Sequence, residues 1–218
     1  MSKKMKINFL GDSITEGAFA TCTKNQFVEK VGQYLNAVVR NYGISGTRIA
    51  IRPNPSPDPS WDLFFGGRVK DMDSDADYVI VFGGTNDYGN GGCLLGNIDD
   101  QDPRTFAGGM NYLIKELLKK YDKEKLIFMI PLYREGEEYR HPNGVNGAPG
   151  ATLQEIREVM YKVLNKNNIK ILDLKDEMGK ADNNPLLEDG LHPNDEGHDK
   201  LARLIVNYIK SLWKEYQF

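Results

Sequence analysis

A serine, a histidine and a carboxylate stand in two short motifs near opposite ends of this chain: Gly11-Asp12-Ser13-Ile14-Thr15 and Asp189-Gly190-Leu191-His192. These are the three groups that nucleophilic acyl transfer requires. A serine hydroxyl attacks poorly at neutral pH. It becomes effective when a neutral imidazole takes its proton and a third group holds that imidazole. At its spacing from His192, Asp189 can accept a hydrogen bond from one ring nitrogen and leave the other for a serine. Each motif also has a plainer reading. Asp12 or Ser13 can cap a helix, and His192 precedes a helix start at Asn194. His141, before Pro142, reads as a loop residue. His198 reads as a packing or solvent-edge residue near the stripe of the last helix.

Two further turns carry polar groups. In Gly83-Gly84-Thr85-Asn86-Asp87 an Asn side chain could donate to a developing oxyanion, or the Asn-Asp pair could simply cap its own backbone. In Asn41-Tyr42-Gly43-Ile44-Ser45-Gly46-Thr47 the glycines allow a bare backbone N–H to face a ligand, or they mark a flexible turn.

The elements that would position these turns are short apolar runs alternating with amphipathic helices. The strand-like runs cover residues 6–10, 37–41, 78–82, 126–130 and 169–172. Each is bounded by Gly, Pro, Asn or Asp, the pattern of βα units around a buried parallel sheet. One helix is predicted from Asp102-Pro103, with Phe106, Met110, Leu113, Ile114 and Leu117 on one face. Another starts at Thr152, with Glu155 completing a capping box. A third starts near Asn194 with Asp195 and Glu196 in its first turn, and a fourth covers about 26–36. Ser13, the glycine turn after the second run and Asn86 all follow strand ends. They therefore converge on one edge of the sheet, where open α/β sheets bind ligands.

With these pieces together, the chain resembles a GDSL-type esterase of the SGNH hydrolase superfamily. The first block is Gly11-Asp12-Ser13-Ile14, with Ile14 where the family name has Leu. The others are Gly46 in Ser45-Gly46-Thr47, then Gly84-Thr85-Asn86-Asp87, then Asp189-Gly190-Leu191-His192. The resemblance implies a three-layer α/β/α sandwich around a five-stranded parallel sheet, similar to flavodoxin. It implies Ser13 as nucleophile, His192 as general base and then acid, and Asp189 as the group that orients His192. The oxyanion hole would be the N–H of Ser13, the N–H of Gly46 and the side chain of Asn86, with Gly43 the other glycine of its turn. Asp12 and Asp87, beside Ser13 and Asn86, are expected to contact substrate. No metal or organic cofactor is implied.

The chain has 218 residues, 40% hydrophobic and 27% charged, with a net charge of −3. This suits one globular domain over 1–218 with a real core. There is no basic surplus of the kind a nucleic-acid binder would show. The basic N-terminus is followed by an apolar stretch too short for a signal h-region. No run approaches the roughly 20 apolar residues of a membrane span. The expected setting is cytoplasmic, with a small-molecule ester as partner; oligomeric state has no sequence signature. Cys22 and Cys93 lack metal or CxxC spacing and are expected to be unpaired thiols. The segments 88–101 and 132–150, candidate lids, are polar, which favours a short acyl group such as acetyl on a polar or carbohydrate alcohol. Trp61, Phe64, Phe65, Leu94 and Leu95 leave a lysophospholipase or thioesterase as the alternative. A non-catalytic binding protein of the same fold is the rival from another class, and a metal-dependent phosphoesterase would need a His/Asp cluster.

Overall fold

The computed structural model describes residues 4–90, 92–140 and 150–215. In chain order the elements are β1 (Lys6–Gly11), α1 (Ser13–Glu16), α2 (Phe27–Leu35), β2 (Val38–Gly43), α3 (Phe65–Arg68), β3 (Tyr78–Phe82), α4 (Thr85–Gly89) and α5 (Phe106–Leu118). They continue with β4 (Leu126–Met129), α6 (Leu153–Lys166), β5 (Lys170–Leu172), α7 (Lys175–Met178) and α8 (Asp195–Glu215). The five strands form one parallel sheet in the order β2-β1-β3-β4-β5. This is the flavodoxin-like order, whose switch point lies between β1 and β3.

Alternating side chains along each strand feed two cores. Leu10, Val79, Val81, Leu126 and Phe128 pack against Phe106, Met110 and Leu113 of α5 and Ile156 and Met160 of α6. Ile7, Phe9, Ile80, Phe82, Ile127 and Met129 pack against Phe27 and Val31 of α2 and Leu201, Ile205 and Ile209 of α8. The sheet is thus covered on both faces, as parallel strands require. Each fully buried Leu, Ile or Phe contributes about 1.5–3 kcal/mol of transfer free energy.

The register matters most for function. Gly11 stands opposite both Gly43 and Phe82, and Phe82 stands opposite Met129. The carboxyl ends of β1, β2 and β3 are therefore level, and the three turns that follow them leave from one line.

Two helix starts show what local sequence can and cannot specify. Thr152 and Glu155 form the expected capping box, each side chain accepting from the other's backbone N–H. The helix predicted from Asp102 instead begins at Phe106, with Thr105 as its cap accepting from Gly108 N–H at 3.1 Å. The Asp102 carboxylate is occupied by Arg104 N–H at 3.0 Å, so it caps a turn of its own before the helix. Cys22 is exposed, Cys93 is buried, and neither is in a disulfide. Among the described residues no helix is long and apolar enough to cross a membrane.

Thr152→Ala removes one half of the capping box and is expected to lower the free energy of unfolding by about 1 kcal/mol, read from a urea transition. An unchanged midpoint would show that the Glu155 half alone holds the helix start.

Candidate functional site

β1 delivers the chain to Asp12, whose Oδ1 accepts the Ile14 N–H at 3.1 Å and caps the single-turn α1. Ser13 opens that turn. Its carbonyl accepts from Gly17 N–H at 3.0 Å and Ala18 N–H at 2.9 Å, with Gly17 at φ +103° closing the turn. The Ser13 side chain is almost buried, and its Oγ lies 2.9 Å from His192 Nε2.

His192 sits in the turn that precedes α8. Its Nδ1 lies 2.8 Å from Asp189 Oδ2, while Asp189 Oδ1 accepts from His192 N–H at 2.8 Å and Leu191 N–H at 3.1 Å. A carboxylate accepts, so Nδ1 carries the ring proton and Nε2 offers its lone pair to the Ser13 hydroxyl. Partial burial pulls the Asp189 carboxyl up, but the hydrogen bonds from His192 and Leu191 outweigh it and hold it below the ordinary value. A serine hydroxyl, an imidazole and a carboxylate in this chain of contacts can move a proton off oxygen and back.

Asn86 lies in the first turn of α4, buried, with its carboxamide held at both ends. Nδ2 donates to Thr47 O at 3.0 Å, and Oδ1 accepts from Asn90 Nδ2 at 3.1 Å. This leaves one N–H of Asn86 Nδ2 free of these contacts. Gly46 has φ +74°, and a Cβ there would fall 2.7 Å from the Trp61 ring, so only glycine suits the position. Gly43 differs: its N–H donates to Asn41 Oδ1 at 2.8 Å, and its Cα faces the backbone of Glu16. Of the two glycines in this turn, Gly46 is thus the one without that inward anchor.

A family model for the GDSL-like lipase/acylhydrolase family matches residues 9–200. The chain belongs to that family. Membership makes it an ester-bond hydrolase. No curated protein matches it. One solved structure, 28% identical, has a TM-score of 0.78 and covers 95% of this chain and 97% of its own. A Lactobacillus plantarum protein is 24% identical with a TM-score of 0.77, covering 97% and 99%. A lipase/acylhydrolase from Enterococcus faecalis is 24% identical with a TM-score of 0.64, covering 95% and 96%. Below 25% identity these last two show the shared fold alone.

Within this GDSL fold, Asp12 and Asp87 are both buried and accept hydrogen bonds from backbone N–H groups. Asp87 is fully buried, and its two oxygens accept from Ile49 N–H at 3.0 Å and Ala50 N–H at 2.8 Å. Asp12 is buried beneath Ser13 and caps α1. Both carboxylates face the inside of the turns they hold.

Four arginines behind the GDSL blocks gave no sequence signal. Arg68 donates to Gly11 O at 3.0 Å, Tyr42 O at 2.6 Å and Thr47 Oγ1 at 3.0 Å. Arg48 and Arg52 both donate to Asn90 O, at 3.1 and 3.2 Å, behind Asn86. Arg134 donates to Thr85 O at 3.2 Å, while its neighbour Glu135 N–H donates to Gly190 O at 2.8 Å. An Arg in isolation looks like a surface residue, and nothing local marks Arg48 and Arg68 as buried or Arg52 and Arg134 as half-buried. His198, expected at a packing or solvent edge, is fully buried, its ring stacked on Phe27. His141 lies outside the described residues. Among the described residues no three His, Cys, Asp or Glu side chains are grouped to hold a metal.

A cavity of about 500 Å³ lies beyond the Gly43–Ile44 backbone, lined by Tyr42, Ile44, Leu63, Phe64 and Arg68 among others. Ser13, Asn86, Asp189 and His192 are not in its lining.

Burial raises the Asp12 carboxyl from its ordinary 3.8 to about 7; the Ile14 N–H and Arg68 oppose that rise and the Asp87 charge adds to it. The folded state therefore holds this proton more tightly than the unfolded chain. The contribution of Asp12 to stability therefore falls as pH rises through the window from about 4 to 7. Asp12→Asn keeps the cap acceptor but cannot ionise. Urea unfolding at a series of pH values should show the variant gaining on the parent across that window, by up to about 4 kcal/mol. A difference independent of pH would mean Asp12 is ionised throughout.

Proposed function

We propose that the protein is a serine esterase in which Ser13 is the nucleophile, His192 the general base and acid, and Asp189 the group that orients His192. The observation that carries this reading is the unbroken path from Ser13 Oγ through His192 to Asp189, with contacts of 2.9 and 2.8 Å. Ser13 Oγ adds to the ester carbonyl carbon while its proton passes to His192 Nε2. The carbonyl π pair moves onto oxygen, which is met by the N–H of Ser13, the N–H of Gly46 and the free N–H of Asn86. The tetrahedral species collapses by breaking the bond to the alkoxy oxygen, which takes the proton from Nε2 and leaves as alcohol. Water then repeats the sequence on the acyl-enzyme and regenerates Ser13.

The substrate reading is a short acyl group, acetyl in the first instance, on a polar or carbohydrate alcohol. The charged character of segment 132–140, with Arg134, Glu135, Glu137, Glu138 and Arg140, supports it. One observation favours a second reading as an acylhydrolase for lysophospholipids or thioesters: the apolar side chains Leu63 and Phe64 in the cavity beyond Ile44 could receive a longer chain. Asp12 and Asp87 act here as positioning groups for the turns that carry Ser13 and Asn86.

Hydrolysis of p-nitrophenyl acetate, butyrate and octanoate tests the proposal. Ser13→Ala should abolish turnover to within the residual level of binding alone, and Asn86→Ala should lower kcat by roughly 10²–10³-fold. Rates should fall from acetate to octanoate. Turnover that survives in Ser13→Ala would sink the nucleophile assignment, and a rise toward octanoate would transfer the assignment to the longer-chain reading.

A further inference from the structure

Phe19 is the most unusual residue near Ser13. It is about half exposed, at 51%, although it is a large aromatic. Its backbone has φ +62°, in the left-handed region where Gly and Asn are at ease and a bulky side chain is strained. Its ring lies beside that of His192, with centroids 5.4 Å apart and planes tilted by 38°.

The backbone on both sides of Phe19 is fastened to α8. His198 Nδ1 accepts from Phe27 N–H at 3.3 Å, which leaves Nε2 protonated to donate to Ala18 O at 3.1 Å. Thr21 donates through N–H and Oγ1 to Asp195 at 2.9 and 2.6 Å, and Asn25 Nδ2 reaches the same carboxylate at 2.8 Å. A strained, solvent-facing aromatic held this firmly is being presented rather than buried.

Resting on the esterase reading above, we propose that Phe19 is the specificity residue for the alcohol half of the ester, and that it selects alcohols carrying a ring with an apolar face. The geometry of proton return sets the side. His192 Nε2 must reach the alkoxy oxygen, so the group attached to that oxygen passes the imidazole, whose neighbour is Phe19. The carbonyl oxygen points the other way, toward Gly46 and Asn86, where the exposed Trp61 ring lies against Gly46. Phe19 therefore faces the leaving alcohol. A ring on the alcohol, whether aryl or the apolar face of a pyranose, would stack on Phe19, whereas a short linear alcohol would not.

The test compares kcat/KM for phenyl acetate, an acetylated methyl pyranoside and ethyl acetate in the parent, Phe19→Ala and Phe19→Trp, with Ser13→Ala as background. Phe19→Ala should lose roughly 3–10-fold on one or both ring esters relative to ethyl acetate. Phe19→Trp should restore the preference, and the acetate-to-octanoate profile should stay as in the parent. The arm that shows the loss identifies the ring as aryl or pyranose. An equal loss on all three acetates, or a change in acyl-chain profile, would overturn the proposal. Phe19→Asn adds a readout independent of activity: with strain relieved, its thermal midpoint should match or exceed the parent's, and a marked fall would make Phe19 a structural residue instead. If the parent itself shows no Ser13-dependent turnover, it is the esterase reading that fails.

Discussion

The contact between Ser13 Oγ and His192 Nε2 joins groups 179 positions apart in the chain, and a shift of 1 Å in either would break it. Such a contact is too weak to organise a fold, so the fold has to organise it. The level ends of β1, β2 and β3 place the Ser13, Gly46 and Asn86 turns side by side. The start of α8 places His192 against them. Asp195 and His198, in the first turn of α8, hold residues 18–27 from the same helix that follows His192. The Ser13 turn and the His192 turn are thereby referred to one rigid element rather than to two.

Buried cations complete this frame at a cost. Removing a guanidinium from water is expensive unless its donors are matched. Arg68 is 93% buried yet meets backbone carbonyls and a hydroxyl rather than a close carboxylate, and burial drops its pKa to about 10. What it secures is position: Gly11 ends β1, while Tyr42 and Thr47 lie at the two ends of the turn that follows β2. The same enclosure is what lifts Asp12 toward neutrality despite Arg68 nearby. Polar groups that ordinarily belong on surfaces are gathered behind Ser13, while the large side chains of Phe19 and Trp61 are exposed.

The sheet, its parallel sense and the paired motifs were legible because short continuous apolar runs and the turn residues that bound them are local signals. Thr152 with Glu155 is one such signal that the fold uses directly. Asp102-Pro103 misled because a good cap sequence also makes a good turn, and the nearby Thr105 competes for the same helix. The surroundings of Asp87 were hidden for a different reason. Sequence puts it next to Asn86, but consecutive residues of a helical turn point about 100° apart, so one meets Thr47 and Asn90 and the other meets Ile49 and Ala50. The arginine frame and the conformation of Phe19 left no mark at all, since they depend on contacts 20 to 60 residues away or on a tertiary constraint that forces φ positive.

The two thiols described with the fold have very unequal chemistry. Burial pushes the Cys93 thiol up to about 12, so it offers almost no thiolate at neutral pH, while Cys22 is exposed. Cys22 stands three positions from Phe19, between it and the Asn25 anchor. The chain thus comes with a natural attachment point for a thiol-reactive fluorophore, in the wild-type sequence, on the very loop that borders the reacting histidine. A fluorophore there would report on the surroundings of the Phe19 and His192 rings without a substitution at either.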